Sequence, residues 1–510
     1  MRVRDGNRST LATRRPPVPG RLFISAQTRG VQSGGISVVR SALVRLGLLV
    51  ALVGGLPVRA DFATALKDFN EGRYEAAHAE FQALAELGDP ASQFNLGAMA
   101  LQGQGGARDP GTAVGWLMAA VDNGYQRLAR DKIDDMKLKL TDEQARTAAD
   151  ILGRYGRAGL AKTVLPVPGS NAHCPNRTPV RLTHAITPDS EFYPRSGRFN
   201  GQNGFVIVEL TVGVDGVPRD PEVLMSVPGP EFSAAALDVW MPSRWDPARD
   251  DGVPVESRLL VKADFNITGG VGALWNLPAL KKVREQASTG DPSSEYLIGL
   301  AATLDRSLGI PVSQAQALIV SAAQGGHAHA QYYVANRFMS LGSCEAEKKK
   351  LPWLRAAARS GDTSAQLALA LDLLRNQPTS EQLAEARSLL EQAALSEDLY
   401  VLTHVAALLG ASPLAELRDP AMAKAAADRL TKDPPELNPQ LFEAAAAAYA
   451  SHKDFWLAKS KEETAIKSAT RLGWATAPML ERLALYRKSQ PWTGDLFAAT
   501  AAPTASPASR

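Results

Sequence analysis

From Gly204 to Gly213 apolar and polar side chains alternate. Val206, Val208, Leu210 and Val212 share one side while Glu209 and Thr211 take the other, the period-2 pattern of a strand with one buried face. Asp215-Gly216 follows, a pair that tolerates positive φ at a tight hairpin turn. The run Val217 to Val227 then brings the chain back as a second strand. Between Pro230 and Trp240 the period changes: Phe232, Ala235, Ala236, Val239 and Trp240 form one helical stripe. Pro230 suits the first helical turn and Glu231 the positive helix end, and Met241-Pro242 predicts the stop. Ser243 to Ala248 leads to a turn at Asp250-Asp251-Gly252, and Val255 to Ile267 is the last strand. Its inward row is Val255, Leu259, Val261, Ala263 and Phe265, and its outward row Glu256, Arg258, Lys262 and Asp264. One helix on a three-stranded antiparallel sheet, a two-layer α+β unit, buries these faces most simply.

On either side the period is helical. Ala63, Leu66, Phe69, Tyr74, Ala77, Phe81 and Leu84 predict a helical pair broken at Glu71-Gly72, and Met136 to Leu152 predicts one further helix. Downstream, Gly290-Asp291, Gly326-His327, Gly361-Asp362 and Ser396-Glu397 each separate two Ala-rich helices, at spacings of 36, 35 and 35 residues. A period of that size means a helical solenoid, in which each amphipathic pair needs neighbours to close its core. Two more helices are expected between Leu441 and Lys488.

The ordered set Tyr193-Pro194, Gly204, Val206 to Val212, Asp215-Gly216, Ser226, Phe232 to Leu237, Trp245 to Ala248, Gly252 to Val255 and Phe265 resembles the TonB C-terminal domain family. The segment Gly88 to Gly124, with Leu96-Gly97, Gly103 to Gly105, Asp109, Ala113, Trp116 and Ala119-Ala120, resembles a Sel-one-like repeat, related to the tetratricopeptide repeat; only the family's tyrosine is missing. The expected fold is therefore multidomain, with all-α helical repeat solenoid segments flanking a small α+β (β-β-α-β) domain. The expected layout is a start and signal peptide over 1–60, N-terminal repeats over 61–160 and a Pro/Gly linker over 161–186. The TonB-like domain over 187–267, C-terminal repeats over 275–431, terminal helices over 440–490 and a tail over 491–510 complete it.

Composition narrows the function. A net charge of +3 on 510 residues, with Lys and Arg scattered beyond the first forty-five positions, argues against nucleic acid as a partner. Cys174 and Cys344 fall in different parts of the layout and are too few for a disulfide framework. The basic stretch Arg40 to Arg45, the apolar run Leu46 to Leu56 and Val58-Arg59-Ala60 form a signal-peptide pattern with cleavage after Ala60. The expected location is periplasmic, the alternative being an uncleaved inner-membrane anchor.

No Gly-x-Ser-x-Gly elbow, phosphate loop, dinucleotide fingerprint or His-Glu-x-x-His helix occurs, and no Cys/His cluster suits zinc, so neither catalysis nor a cofactor is expected. His327 reads as a residue at the start of a repeat and His329 as its exposed neighbour. The TonB resemblance implies binding of other envelope proteins, including outer-membrane transporter segments, by pairing of an extended partner with the last strand. Here Val255, Ser257, Arg258, Leu259, Leu260, Val261, Lys262, Ala263 and Phe265 stand on it. Its charged outward row is expected to deter uncontrolled edge pairing. The function expected is that of a periplasmic adaptor, and the alternative a membrane-anchored TonB-like component of outer-membrane transport.

Overall fold

A computed structural model describes residues 62–165, 177–184, 193–194, 203–265, 278–305, 308–338, 347–375, 377–432 and 438–497. The signal-peptide pattern, both cysteines, Ile267 and the tail from Ala498 lie outside them. The N-terminal helices are α1 (Phe62–Asn70), α2 (Tyr74–Glu86), α3 (Pro90–Gln102), α4 (Pro110–Asp122), α5 (Arg130–Lys137), α6 (Asp142–Tyr155) and α7 (Arg157–Thr163). The expected single helix over 136–152 is two, because Thr141 and Gln144 form a reciprocal capping box that starts α6 afresh.

Strands β1 (Arg177–Thr178), β2 (Arg181–His184), β3 (Gly204–Val212) and β4 (Pro218–Val227) come next, then α8 (Glu231–Trp240). After α8 lie β5 (Arg244–Asp246), β6 (Ala248–Asp250), β7 (Val253–Val255) and β8 (Ser257–Phe265). The second helical set is α9 (Pro278–Ser288), α10 (Pro292–Leu304), α11 (Val312–Gln324), α12 (Ala328–Tyr333), α13 (Glu347–Arg359), α14 (Thr363–Leu374), α15 (Ser380–Ala393), α16 (Leu399–Ala411) and α17 (Pro420–Leu430). It ends in three helices, α18 (Pro439–Ser451), α19 (Phe455–Leu472) and α20 (Ala477–Arg487), where two were expected. Gly473 at φ 74° ends α19 with a left-handed cap, and so separates it from α20.

The repeat period has a physical cause visible at the helix starts that follow the repeat junctions. Asp89, Asp291 and Asp362 accept the backbone N–H of Ser92, Ser294 and Ala365 at 2.6, 2.8 and 2.7 Å, and His327 Nδ1 accepts that of Ala330 at 3.1 Å. His327 is thus the cap its repeat position predicts. Four residues past the cap, Gln93, Gln331 and Gln366 reach back to the carbonyls of Ala85, Ala323 and Ala358 at 3.0, 3.0 and 3.2 Å. Each glutamine ties a new helix to the last turn of the one before, satisfying a buried carbonyl. In the 291 and 398 repeats Glu295 and Leu402 stand at that place.

The two helical sets touch directly. Gln324 Nε2 donates to Leu87 O at 3.1 Å, Trp353 Nε1 to Val164 O at 3.0 Å and Lys349 Nζ to Ala161 O at 2.6 Å. Leu87, Leu160 and Val164 share one core with the C-terminal helices. The strands therefore sit within a continuous helical array, between α7 and α9.

The main sheet has the order β4-β3-β8, antiparallel throughout, with Phe205 opposite Val227, Gly204 opposite Phe265 and Val212 opposite Ser257. Helix α8 covers one face, where Val206, Val208, Leu210, Val212, Phe232, Leu259, Val261 and Phe265 form a closed apolar core. Tyr193, Phe232 and Phe265 meet edge to face, with centroids 5.4 to 5.9 Å apart. Part of the stretch read as linker is strand: β1 pairs with β6 and β2 with β5. Those strands are two and four residues long and carry no alternation, so only their partners over 244–250 define them.

Candidate functional site: the edge and second face of the sheet

Strand β8 has β3 as its single strand neighbour among the described residues, which leaves its other edge as the candidate for strand addition. Ser257, Arg258, Leu259, Leu260, Val261, Lys262, Ala263 and Phe265 all stand on this strand. Val255 does not: it pairs with Ala248 in the β6–β7 hairpin, because the chain breaks its extended run at Glu256. Leu259, Val261, Ala263 and Phe265 point into the α8 core.

The other row of β8 does not face water. Arg258, Leu260 and Lys262 press against the helical array together with the second face of β3 and β4. Phe205, Ile207, Met225, Val227 and Leu260 are each at most 7% exposed and join the core of the array. All nine residues of β3 are buried.

Beyond that apolar part the interface is charged. The Arg258 guanidinium lies 2.9 Å from Glu209, 3.2 Å from Glu222 and 3.1 Å from Asp398 at the start of α16. It donates to Ser364 Oγ on α14 at 3.1 Å and stands 4.8 Å over the Tyr400 ring. Burial works against its charge, but Glu209 and the other anionic groups around it hold its pKa well above the usual arginine value. Lys262 pairs with Asp264 at 2.8 Å and with Asp305 at the end of α10, and lies 5.5 Å over Phe205. A row meant to repel stray strands is therefore spent on intramolecular ion pairs, because the array supplies the countercharges.

The far end of the sheet continues this pattern. Arg219 pairs with Asp215 and lies 5.0 Å over the Trp474 ring, whose indole N–H donates to Asp215 Oδ2 at 2.7 Å. Between Glu209 and Thr211 the β3–β4 register shifts, and Asp220 takes φ 48°. Pro221 offers no N–H to the ladder, so the bulge falls there and turns Asp220 to accept Asn438 Nδ2 at 2.7 Å. On α12, His329 Nδ1–H donates to Asp362 Oδ2 at 3.0 Å and the side chain is only 20% exposed, not the open neighbour the pattern suggested. Burial lowers its pKa, yet the hydrogen bond and charge of Asp362 carry it up to about 9. Burial pushes His327 down to about 4, and the charge of His329 adds to that.

The sequence pattern missed this second face, although Phe205, Ile207 and Leu260 on the outward rows signalled it. Among the described residues no cluster of three or more His, Cys, Asp and Glu side chains could hold a metal ion, and no helix is long and apolar enough to cross a membrane.

The geometry thus defines a helical-repeat protein with a β-β-α-β domain set into the array. Residues 190–267 match the family model of the Gram-negative bacterial TonB protein C-terminal, so the chain carries a TonB C-terminal domain among its helical repeats. A solved structure it resembles is a protective antigen present in uropathogenic Escherichia coli strains, displaying an SLR fold. The two are 17% identical over 82% of this chain and 86% of that one, with a TM-score of 0.29. No curated protein matches the chain.

Proposed function

We propose that this is a non-catalytic envelope adaptor whose TonB-type sheet receives an extended partner segment along the outer edge of β8. The observation that carries the reading is the position of β8 at the margin of the β4-β3-β8 sheet, with one strand neighbour among the described residues. Main-chain hydrogen bonds would supply the affinity, and the chain context beside Asp264 the selectivity. The helical array holds the strand rigid from behind through Arg258 and Lys262, a support that a partner arriving at the edge does not need to displace. An envelope protein with an unpaired extended segment, such as the periplasmic portion of an outer-membrane transporter, fits that edge. The signal-peptide pattern over Arg40 to Ala60 supports export.

A photo-crosslinking residue placed at exposed Asp264 in cells, with a second at exposed Trp456 on α19 as the contrast site, tests this. Adducts from position 264 that map to extended segments of envelope proteins are expected. Adducts from 456 alone would move the binding role to the helices.

A further inference from the structure

The interface between sheet and array holds more carboxyl groups than cations. On the sheet side Asp220 is faced by Arg219 on its own strand and by Glu256 just before β8, Glu222 by Glu209 and Arg258, and Glu256 by Arg219, Arg258 and Asp215 in the hairpin turn. From the array come His329 and Tyr332 on α12, Asp362 capping α14, Asp398, Tyr400 and His404 at α16, and Asn438 and Gln440 at α18. Of the cations, Arg219 is matched by Asp215, His329 by Asp362 and Lys262 by Asp264 and Asp305, which leaves Arg258 to serve Glu209, Glu222 and Asp398 together. Asp220 and Glu256 have no Lys or Arg in ion-pair contact among the described residues; Asp220 receives an amide, and Glu256 stands 4.0 Å from His404.

We propose that protons shared among these carboxyls hold the sheet onto the array, so that docking is tight in mild acid and loosens as pH rises. Loosening would uncover the apolar stretch of Phe205, Ile207, Met225, Val227 and Leu260 and the facing helices, a surface closed in the docked form. The cause is the charge count of the interface. A buried carboxyl without a counterion is cheaper protonated than ionised. Burial accordingly pushes Asp220 up to about 7 and raises Glu256, with Asp398 and Asp215 respectively adding to the rise; Glu222, which has Arg258 beside it, is raised by burial and by Asp398. Burial lowers the pKa of His404, which weakens the compensating charge it can offer Glu256.

The sign follows from linkage. A carboxyl whose docked pKa lies above its free value takes up a proton on docking. Its contribution is complete in acid and is lost as pH rises through the docked value. One such group at about 7 makes the opening constant rise about tenfold from about pH 6 to about pH 8.

Hydrogen exchange on the full chain, corrected for intrinsic rates, reads this locally. The stretches to compare are 218–227 and 257–265 in the sheet and 399–411 in α16. Whole-protein melting would mix in Glu443 and Glu462 around Arg482, which burial also raises, to about 7 and about 8. The expected result is about tenfold faster exchange in all three stretches at about pH 8 than at about pH 6. The rise is reduced in Asp220→Asn, reduced in Glu256→Gln and smallest when the two are combined. Asparagine keeps an acceptor for Asn438; if that variant does not fold, Glu256→Gln carries the comparison. Wild-type exchange that is flat with pH in these stretches, or a full rise in the folded variants, would overturn the proposal.

Discussion

The two faces of strand β3 are equally buried and built in opposite ways. Toward α8 the contact is apolar, closed by the three mutually packed rings of Tyr193, Phe232 and Phe265. Toward the array it is apolar at one end and charged at the other, with Arg258 among three carboxylates. The first kind of face is stabilised by burial alone and tolerates no hole. The second needs its charges matched, and its strength depends on what each ion meets. Burial by itself does not say whether a face is held by packing or by pairing.

Substitutions separate the two cases. Phe232→Ala removes a fully buried ring from the α8 side and should cost about 3–5 kcal/mol, measured by urea unfolding. Arg258→Ala leaves Glu209, Glu222 and Asp398 without their cation and should cost about 3 kcal/mol. Removing the surplus carboxylate as well, in Arg258→Met with Asp398→Asn, should recover part of that loss. No equivalent rescue exists for Phe232. A loss of less than about 1 kcal/mol for Arg258→Ala would make the charged face passive.

Smaller effects refine the picture. Asn438→Ala takes away both the cap that accepts Leu441 N–H at 3.1 Å and the amide held by Asp220, and should lower stability by about 1–2 kcal/mol. Gln366→Leu removes the tie to Ala358 O from one repeat joint and should cost about 1 kcal/mol, lowering the thermal midpoint slightly with the module still docked. A larger effect there than at Asn438 would put the weak joint in the array, not under the sheet.

Legibility in the amino-acid sequence divides along the same line. The α8 face is legible because Val206, Val208, Leu210 and Val212 alternate with polar neighbours, and because α8 itself carries a helical stripe. The array face is not, since Glu209, Arg258 and Lys262 read as solvent-facing unless their countercharges are known. Those countercharges, Asp305 and Asp398, lie 43 and 140 positions away in sequence from Lys262 and Arg258. The repeats are legible through the junctions that recur with the period, Gly290-Asp291, Gly326-His327, Gly361-Asp362 and Ser396-Glu397, while the glutamine four residues past the cap holds only at Gln93, Gln331 and Gln366. The bulge at Asp220-Pro221 has a local sign in its proline, but its target, Asn438, is set by tertiary packing. That the last strand offers the open edge is implied by the resemblance to the TonB C-terminal domain, whereas the loss of Val255 to a neighbouring hairpin depends on pairing with Ala248.

The central claim is that Arg258 on the sheet and Asp398 on the array hold each other across the joint. A double-mutant cycle of Arg258→Met and Asp398→Asn, read by chemical unfolding of the full chain, measures that link and cancels the separate capping role of Asp398. A coupling of at least about 1 kcal/mol is predicted; additivity within about 0.5 kcal/mol would contradict the account.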